Sequence, residues 1–203
     1  MNLHERKRAL ACVHAQMLDC RQCIHAGFPV APRAVFSGRI GARLLIVGQA
    51  PGSTEQQTGR PFNAGSGRRL FDWLSAAGLN EGAVRGMEYM TSVTKCYPGR
   101  SGSGSGDRLP TPAEQTLCRP YLQVELELVR PLIVLAIGRL AISTLLETAA
   151  PLEELVGREF EREGRWVLPL PHPSGASRWH QLEPNRARIA AAMRVLRRRL
   201  AEE

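Results

Sequence analysis

Residues 43–62, RLLIVGQAPGSTEQQTGRPF, limit what this chain can fold into more than any other stretch. Leu44, Leu45, Ile46 and Val47 form a short apolar run that reads as a buried strand. It stops at a turn made of Gly48, Gln49, Ala50, Pro51 and Gly52, after which a polar loop ends at Gly59, Arg60, Pro61 and Phe62 and a helix is expected. Open α/β sheets place ligands at the carboxyl ends of their strands, which is where this turn falls. Glycine lets backbone approach a ligand closely, and Phe62 offers an aromatic face on which a flat group can stack. The stretch is therefore either an ordinary strand-to-helix connection or a seat for something planar.

The rest of the chain repeats the alternation. Strand character recurs at 88–94, 130–138 and 165–170, and helices are expected over 6–26, 68–77, 112–129, 140–148 and 185–200. Thr111, Pro112 and Glu114 have the spacing of a capping box, and Gly78 reads as a helix stop. Strands alternating with helices predict an α/β fold with a parallel sheet covered on both faces. With 203 residues, 43% of them hydrophobic, one domain over 1–203 is expected. Within it, 97–112 (YPGRSGSGSGDRLPTP) is low in complexity and reads as a flexible Gly/Ser loop at about 99–110, with Arg100 and Arg108 at its flanks. No apolar run suits a bilayer, and the first ten residues are too charged for a secretory signal, so an intracellular, cytoplasmic protein with no membrane partner is expected. A net charge of +8 and a pI near 9.9 favour a polyanionic partner.

Cysteine usage adds a second constraint. Five cysteines without an export signal argue against a disulfide framework and for metal or redox chemistry. Cys20 and Cys23 form a CxxC pair, Cys96 follows a predicted strand, and Cys118 lies early in a predicted helix. Thiolate ligation alone does not choose between zinc and an iron-sulfur group. Cys12 reads as a free thiol.

The turn GQAPG, the following GRPF, and Leu170-Pro171-His172-Pro173-Ser174 together resemble the uracil-DNA glycosylase superfamily, nearest the iron-sulfur family 4 enzymes, over 20–177. The resemblance implies a three-layer α/β/α sandwich around a four-stranded parallel sheet. It implies a 4Fe-4S cluster held by Cys20, Cys23, Cys96 and Cys118, with zinc at the same cysteines as the alternative. It also implies a monomer, associated with the nucleoid, that grips the DNA backbone and takes a flipped base. His172 would stabilise the leaving base near its carbonyl, Phe62 would stack on the base, and Gly48, Ala50, Pro51, Gly52 and Ser174 would line its pocket. Pro173, Gly175, Ala176, Ser177 and Arg178 would press on the DNA.

Two departures bear on the substrate. Gln49 stands where the family carries glutamate; it can orient water but cannot act as a base, and Glu55 in the same loop is the nearest carboxylate. Ser92 falls where the family's asparagine reads the edge of uracil, and one hydroxyl in place of a two-headed amide weakens discrimination, opening the pocket to hypoxanthine or xanthine. The implied function is base-excision repair by a monofunctional glycosylase that leaves an abasic site. The alternatives are a protein of this fold that binds damaged DNA with little or no cleavage, and an unrelated cluster-bearing α/β protein. The arginines of the last helix read as a solvated basic face or a phosphate contact.

Overall fold

The computed structural model of the chain describes residues 1–102, 106–175 and 178–202. Five strands form one sheet: β1 (Leu44–Gly48), β2 (Tyr89–Ser92), β3 (Ile133–Ile137), β4 (Phe160–Arg162) and β5 (Arg165–Leu170). They stand in the order β2-β1-β3-β5-β4. The four expected strands are all parallel, and β4 is an addition that runs antiparallel to β5. It is joined by the two-residue turn Glu163-Gly164, both left-handed with φ of 51° and 74°, the tight hairpin geometry that a following glycine permits. Three residues with only partial burial carry no strand pattern, which is why β4 escapes a reading of periodicity.

Helices cover both faces: α1 (Leu3–Asp19), α2 (Gln22–His25), α3 (Ser53–Thr58), α4 (Gly65–Ser75), α5 (Glu81–Met87), α6 (Pro112–Val129), α7 (Arg139–Leu146), α8 (Leu152–Leu155) and α9 (Glu183–Ala201), with a 3₁₀ turn at Trp179–Gln181. Alternate strand residues serve opposite cores. Leu45, Val47, Val134, Ala136 and Val167 meet Leu10 of α1, Leu122 and Val129 of α6, and Ile142 of α7. Leu44, Ile46, Ile133, Leu135 and Leu168 meet Leu70 and Leu74 of α4 and Met193 and Leu196 of α9. Period-two alternation within strands buried on both sides is what makes three layers. Among the described residues no helix is long and apolar enough to cross a membrane.

Three local departures from the sequence reading have physical causes. The first helix ends at Asp19, not at residue 26: Cys20 is extended (φ −63°, ψ 131°), and Arg21 Nη1 donates to the carbonyls of Leu18 and Cys20, satisfying groups that a continuing helix would have paired. Residues 53–58, expected as polar loop, are helix α3, because Glu55 reaches back to the Gly52 N–H at 3.0 Å and left-handed Gly59 stops the turn. The described flanks of the Gly/Ser stretch are paired, with Arg100 bridged to Asp107 and the Arg108 N–H donating to the Gly99 carbonyl. Ser103, Gly104 and Ser105 of that stretch lie outside the described residues.

Beside the sheet, residues 29–37 close the free edge of β2, through bonds from Ala31 to Tyr97 and between Ser37 and Met90. Beneath them lies an ion pair with almost no exposure. Lys95 Nζ meets Glu125 Oε2 at 2.6 Å, the side chains being 2% and 0% exposed. Lys95 also donates to the Ser92 carbonyl, while the Tyr89 and Thr91 hydroxyls donate to Glu125, so both charges are fully engaged.

Candidate active site

The chain passes from β1 outward to β2, then returns to the other side of β1 to make β3. That reversal opens a crevice beyond the carboxyl ends of β1 and β3, the place where such sheets bind ligands. A cavity of about 580 Å³ occupies it, lined by Gly48, Gln49, Ala50, Pro51, Gly52, Glu55, Phe62, Ser92, His172 and Ser174. Eight residues named from the resemblance as base-pocket or leaving-group contacts thus share one space with Gln49 and Glu55.

Phe62 is held in an unusual state. Its φ is 50°, left-handed for a bulky residue, a conformation that costs on the order of 1–3 kcal/mol. Two glycines permit it. A Cβ on Gly67 would lie 1.9 Å from the Phe62 carbonyl oxygen, and one on Gly48 would lie 3.2 Å from the tip of the Phe62 ring. Gly67 therefore serves close packing at the start of α4. Arg85 of α5 completes the clamp, donating to the carbonyls of Pro61 at 2.9 Å and Phe62 at 2.7 Å while its guanidinium lies over the Phe71 ring.

His172 follows β5 and faces the end of β3. Its Nδ1 accepts the backbone N–H of Ser174 at 3.2 Å, so the ring proton sits on Nε2. Burial pushes its pKa below the ordinary histidine value, so the ring is neutral at pH 7 and a donor through Nε2 alone. Gln49 lies against Gly138, where a Cβ would stand 3.0 Å from Gln49 Cδ and 3.2 Å from His172 Cδ2. Its Oε1 accepts the Leu140 N–H at 3.4 Å from the first turn of α7, which leaves the Nε2 hydrogens to donate elsewhere. The Ser92 hydroxyl donates to the Thr94 carbonyl at 2.7 Å, so toward the cavity it is an acceptor. Glu55 is 9% exposed and caps its own helix.

Beyond His172, the Pro173 carbonyl accepts from Arg69 Nη1. Gly175 and Arg178 are exposed, and Ala176 and Ser177 lie outside the described residues. The Trp179 indole donates to Glu153, and its ring is half-buried. Arg186, Arg194, Arg197 and Arg198 of α9 are exposed, as a solvated basic face requires, and ion pairs lace its end: Arg198 and Arg199 pair with Glu159, Arg199 covers the Trp166 ring, and Arg197 donates to the Ala76 carbonyl. Arg43, just before β1, donates to the Leu200 carbonyl, which puts this end of α9 at the sheet edge opposite the cavity.

Cys20, Cys23, Cys96 and Cys118 line one pocket with Thr94 and Tyr121. Burial raises the Cys96 thiol to about 12 and the Cys23 thiol to about 11, with the charge of the neighbouring cysteines adding to each. Burial also raises Cys118, whose Sγ accepts the Lys95 N–H at 3.3 Å. Burial, with Cys20 beside it, raises the Tyr121 phenol to about 12. Thr94 Oγ1 is buried without a partner. Half-buried thiols that line one pocket and disfavour one another's ionisation, beside an unsatisfied hydroxyl, fit a cationic metal group that draws off their protons. Among the described residues, no three His, Cys, Asp or Glu side chains are gathered as one metal ion would need. Cys12 is exposed on α1, away from this group.

Asp107 and Arg85 carry parts of this site that were not read from the sequence. Asp107 lines the cavity from the returning arm of the Gly/Ser stretch. The Arg108-Leu109-Pro110-Thr111 segment that follows is fixed by Arg108, which grips Glu114 through both nitrogens at 2.6 and 2.7 Å and holds that carboxyl down at about 2. The signal available for Asp107 was an acidic residue between two arginines in an otherwise neutral loop.

A base-sized cavity at a switch point, a stacking ring and a neutral histidine donor define an enzyme that handles a flat heterocycle. The chain matches the family described as the Uracil DNA glycosylase superfamily over residues 36–197, and it belongs to that superfamily. It is 28% identical over 175 residues to the Type-4 uracil-DNA glycosylase of Thermotoga maritima, covering 85% of each chain. It is 30% identical over 169 residues to the Type-4 uracil-DNA glycosylase of Archaeoglobus fulgidus, covering 78% of each. To the Type-5 uracil-DNA glycosylase of Pyrobaculum aerophilum it is 31% identical over 191 residues, 87% of this chain and 77% of that one.

Proposed function

We propose that this chain is a monofunctional DNA glycosylase that hydrolyses the N-glycosidic bond of uracil, or of another deaminated base, flipped out of DNA, leaving an abasic site for repair. The observation that carries it is the pairing, across one cavity, of the Phe62 ring with a neutral His172 whose Nε2 proton is free to donate. Breaking the bond sends electrons to the base, and a neutral donor at a base carbonyl stabilises that charge without first being spent as a cation. Gln49 adds a second donor through Nε2, Ser92 accepts a ring N–H, and Gly48, Ala50, Pro51, Gly52 and Ser174 close around base and sugar. Glu55 is assigned electrostatic support of the cationic sugar. Pro173, Gly175 and Arg178 meet the DNA at the rim, aided by the net charge of +8. A monomer acting in the cytoplasm, at the nucleoid, is the state that the family resemblance supports.

Cys20, Cys23, Cys96 and Cys118 would hold a 4Fe-4S cluster, which supplies a rigid tie between the segments that carry them. Thiolate ligation alone suits zinc as well, and what favours the cluster is the resemblance of the four cysteine positions to those of the iron-sulfur family 4 enzymes.

The deciding experiment offers labelled oligonucleotides carrying uracil, hypoxanthine or xanthine, single- and double-stranded, followed by alkali. Strand cleavage at uracil is expected, with weaker preference over the other bases than a two-headed amide would give. Tight binding of all three with cleavage of none would move the chain to the damage-binding alternative. Arg85→Ala is expected to slow uracil release roughly tenfold by loosening Phe62, since charge-assisted hydrogen bonds contribute about 1.5–3 kcal/mol each. Arg85→Lys, with one head in place of two, should recover only part of the rate in the same assay.

A further inference from the structure

One carboxylate of the cavity has no counterpart among the residues read from the motifs. Asp107 sits on the returning arm of the hairpin that springs from Cys96, paired with Arg100 across its base. The Tyr97 hydroxyl donates to Asp107 Oδ1 at 2.8 Å, fixing the carboxylate's orientation. Asp107 Oδ2 stands 3.2 Å from where a Cβ on Gly52 would lie. Burial and this hydrogen bond hold the Tyr97 phenol above its ordinary pKa, so it keeps its proton and remains a donor.

The other carboxylate at Gly52 is differently employed. Glu55 gives Oε2 to the Gly52 N–H at 3.0 Å and is nearly buried, the geometry of a helix cap. Asp107 is exposed and lines the cavity. The turn also sets a direction. Gly48, at its first end, lies against Phe62, and Gly52, at its last, lies against Asp107. A base stacked at the first end places its sugar toward the second.

Given glycosylase action on a flipped nucleotide, we infer that Asp107 is a catalytic carboxylate of this chain, orienting the attacking water and accepting its proton where Gln49 cannot. The C1′–N bond breaks with its electron pair leaving on the base. A water oxygen forms the new C1′–O bond, and the proton that water sheds passes to Asp107 Oδ2. Until then, the negative charge at Oδ2 stabilises the cationic sugar.

The test measures single-turnover uracil release by the full chain and, separately, affinity for an oligonucleotide whose 2′-fluoro-deoxyuridine resists cleavage. Asp107→Asn is expected to lower the release rate about 100-fold while affinity stays within about twofold. Asp107→Ala should lose as much and regain part of it with added formate, a small carboxylate that can enter the vacated space. Tyr97→Phe, which keeps the carboxylate and removes its tether, should fall between. Wild-type rates in both Asp107 variants, or a loss of rate matched by a loss of affinity and not relieved by formate, would overturn the assignment. No release of any base by the wild-type chain would overturn the glycosylase reading itself, and Asp107's role with it.

Discussion

Replacing His172 with alanine is expected to lower single-turnover uracil release by about 100- to 1000-fold, the range seen when one preorganised donor to a developing anion is lost, while affinity for the uncleavable oligonucleotide stays nearly unchanged. The ring is set for that role by two features. Ser174 donates its N–H to Nδ1, which fixes the tautomer, and burial depresses the pKa, which keeps the ring neutral. The pH dependence follows in sign. A histidine whose pKa is lowered on folding stays neutral as pH falls through about 6.5, and only below its own depressed pKa does it take a proton. The rate contribution of His172 should therefore be flat from pH 8 past 6.5 and fall only in more acid solution, where a proton on Nδ1 displaces the Ser174 bond. Stability moves the same way: the unfolded chain binds the proton first, so what His172 contributes above about pH 6.5 is lost progressively as pH drops below it. A pH-rate profile of the wild type against His172→Gln checks the assignment. A rate that declines on raising pH from 6 to 8, with the decline absent in the variant, would mean that an imidazolium does the work.

Much of this site was legible because its parts are short and local. A buried strand ending in GQAPG, and another ending in a proline-flanked histidine, need only β propensity and turn chemistry to be read, and both arrive at one sheet edge because parallel strands share a direction. The capping box at Thr111 and Glu114 was read for the same reason, its two bonds lying within three residues. What escaped was set by distant partners. The left-handed Phe62 follows from Gly67 and from Arg85, which is more than twenty residues away. Helix α3 is the exception that was local and still missed, since Glu55 three residues after Gly52 is the signature of a cap; its carboxylate drew attention as chemistry before it was recognised as structure.

The arginines of α9 form an exposed basic face, as the sequence suggests, and several of them are ion-paired or stacked at the sheet edge remote from the cavity. Exposed ion pairs contribute little singly, but Glu159 is shared by Arg198 and Arg199 and joins the end of α9 to the start of the β4–β5 hairpin. Arg178, just past the His172 loop, is exposed and among the described residues carries no such pair.

Cys118→Ser is expected to have the widest effect of any single change, because its site joins three parts of the fold. Cys20 and Cys23 bring the end of α1 and helix α2, Cys96 lies four residues past the end of β2, and Cys118 lies on α6. The hairpin bearing Asp107 leaves the body just after Cys96 and returns just before the helix that carries Cys118. Structural metal centres supply folding free energy on the order of 10 kcal/mol, comparable to the whole stability of a domain. Removing one ligand should therefore abolish the visible absorption of anaerobically purified protein, lower the thermal midpoint by well over ten degrees, and depress uracil release through the unfastened hairpin. Cys12→Ser, exposed on the outer side of α1, should change none of these. The buried pair Lys95 and Glu125 sharpens the expectation, since it ties the backbone beside Cys96 to α6 whether or not the cysteines are joined. A Cys118 variant that stays folded but loses activity would show that this brace holds the sheet while the cysteines hold the hairpin. Colourless wild-type protein carrying one zinc per chain would replace the cluster with a single ion, and retained stability and activity in Cys118→Ser would remove the cysteines from the working structure altogether.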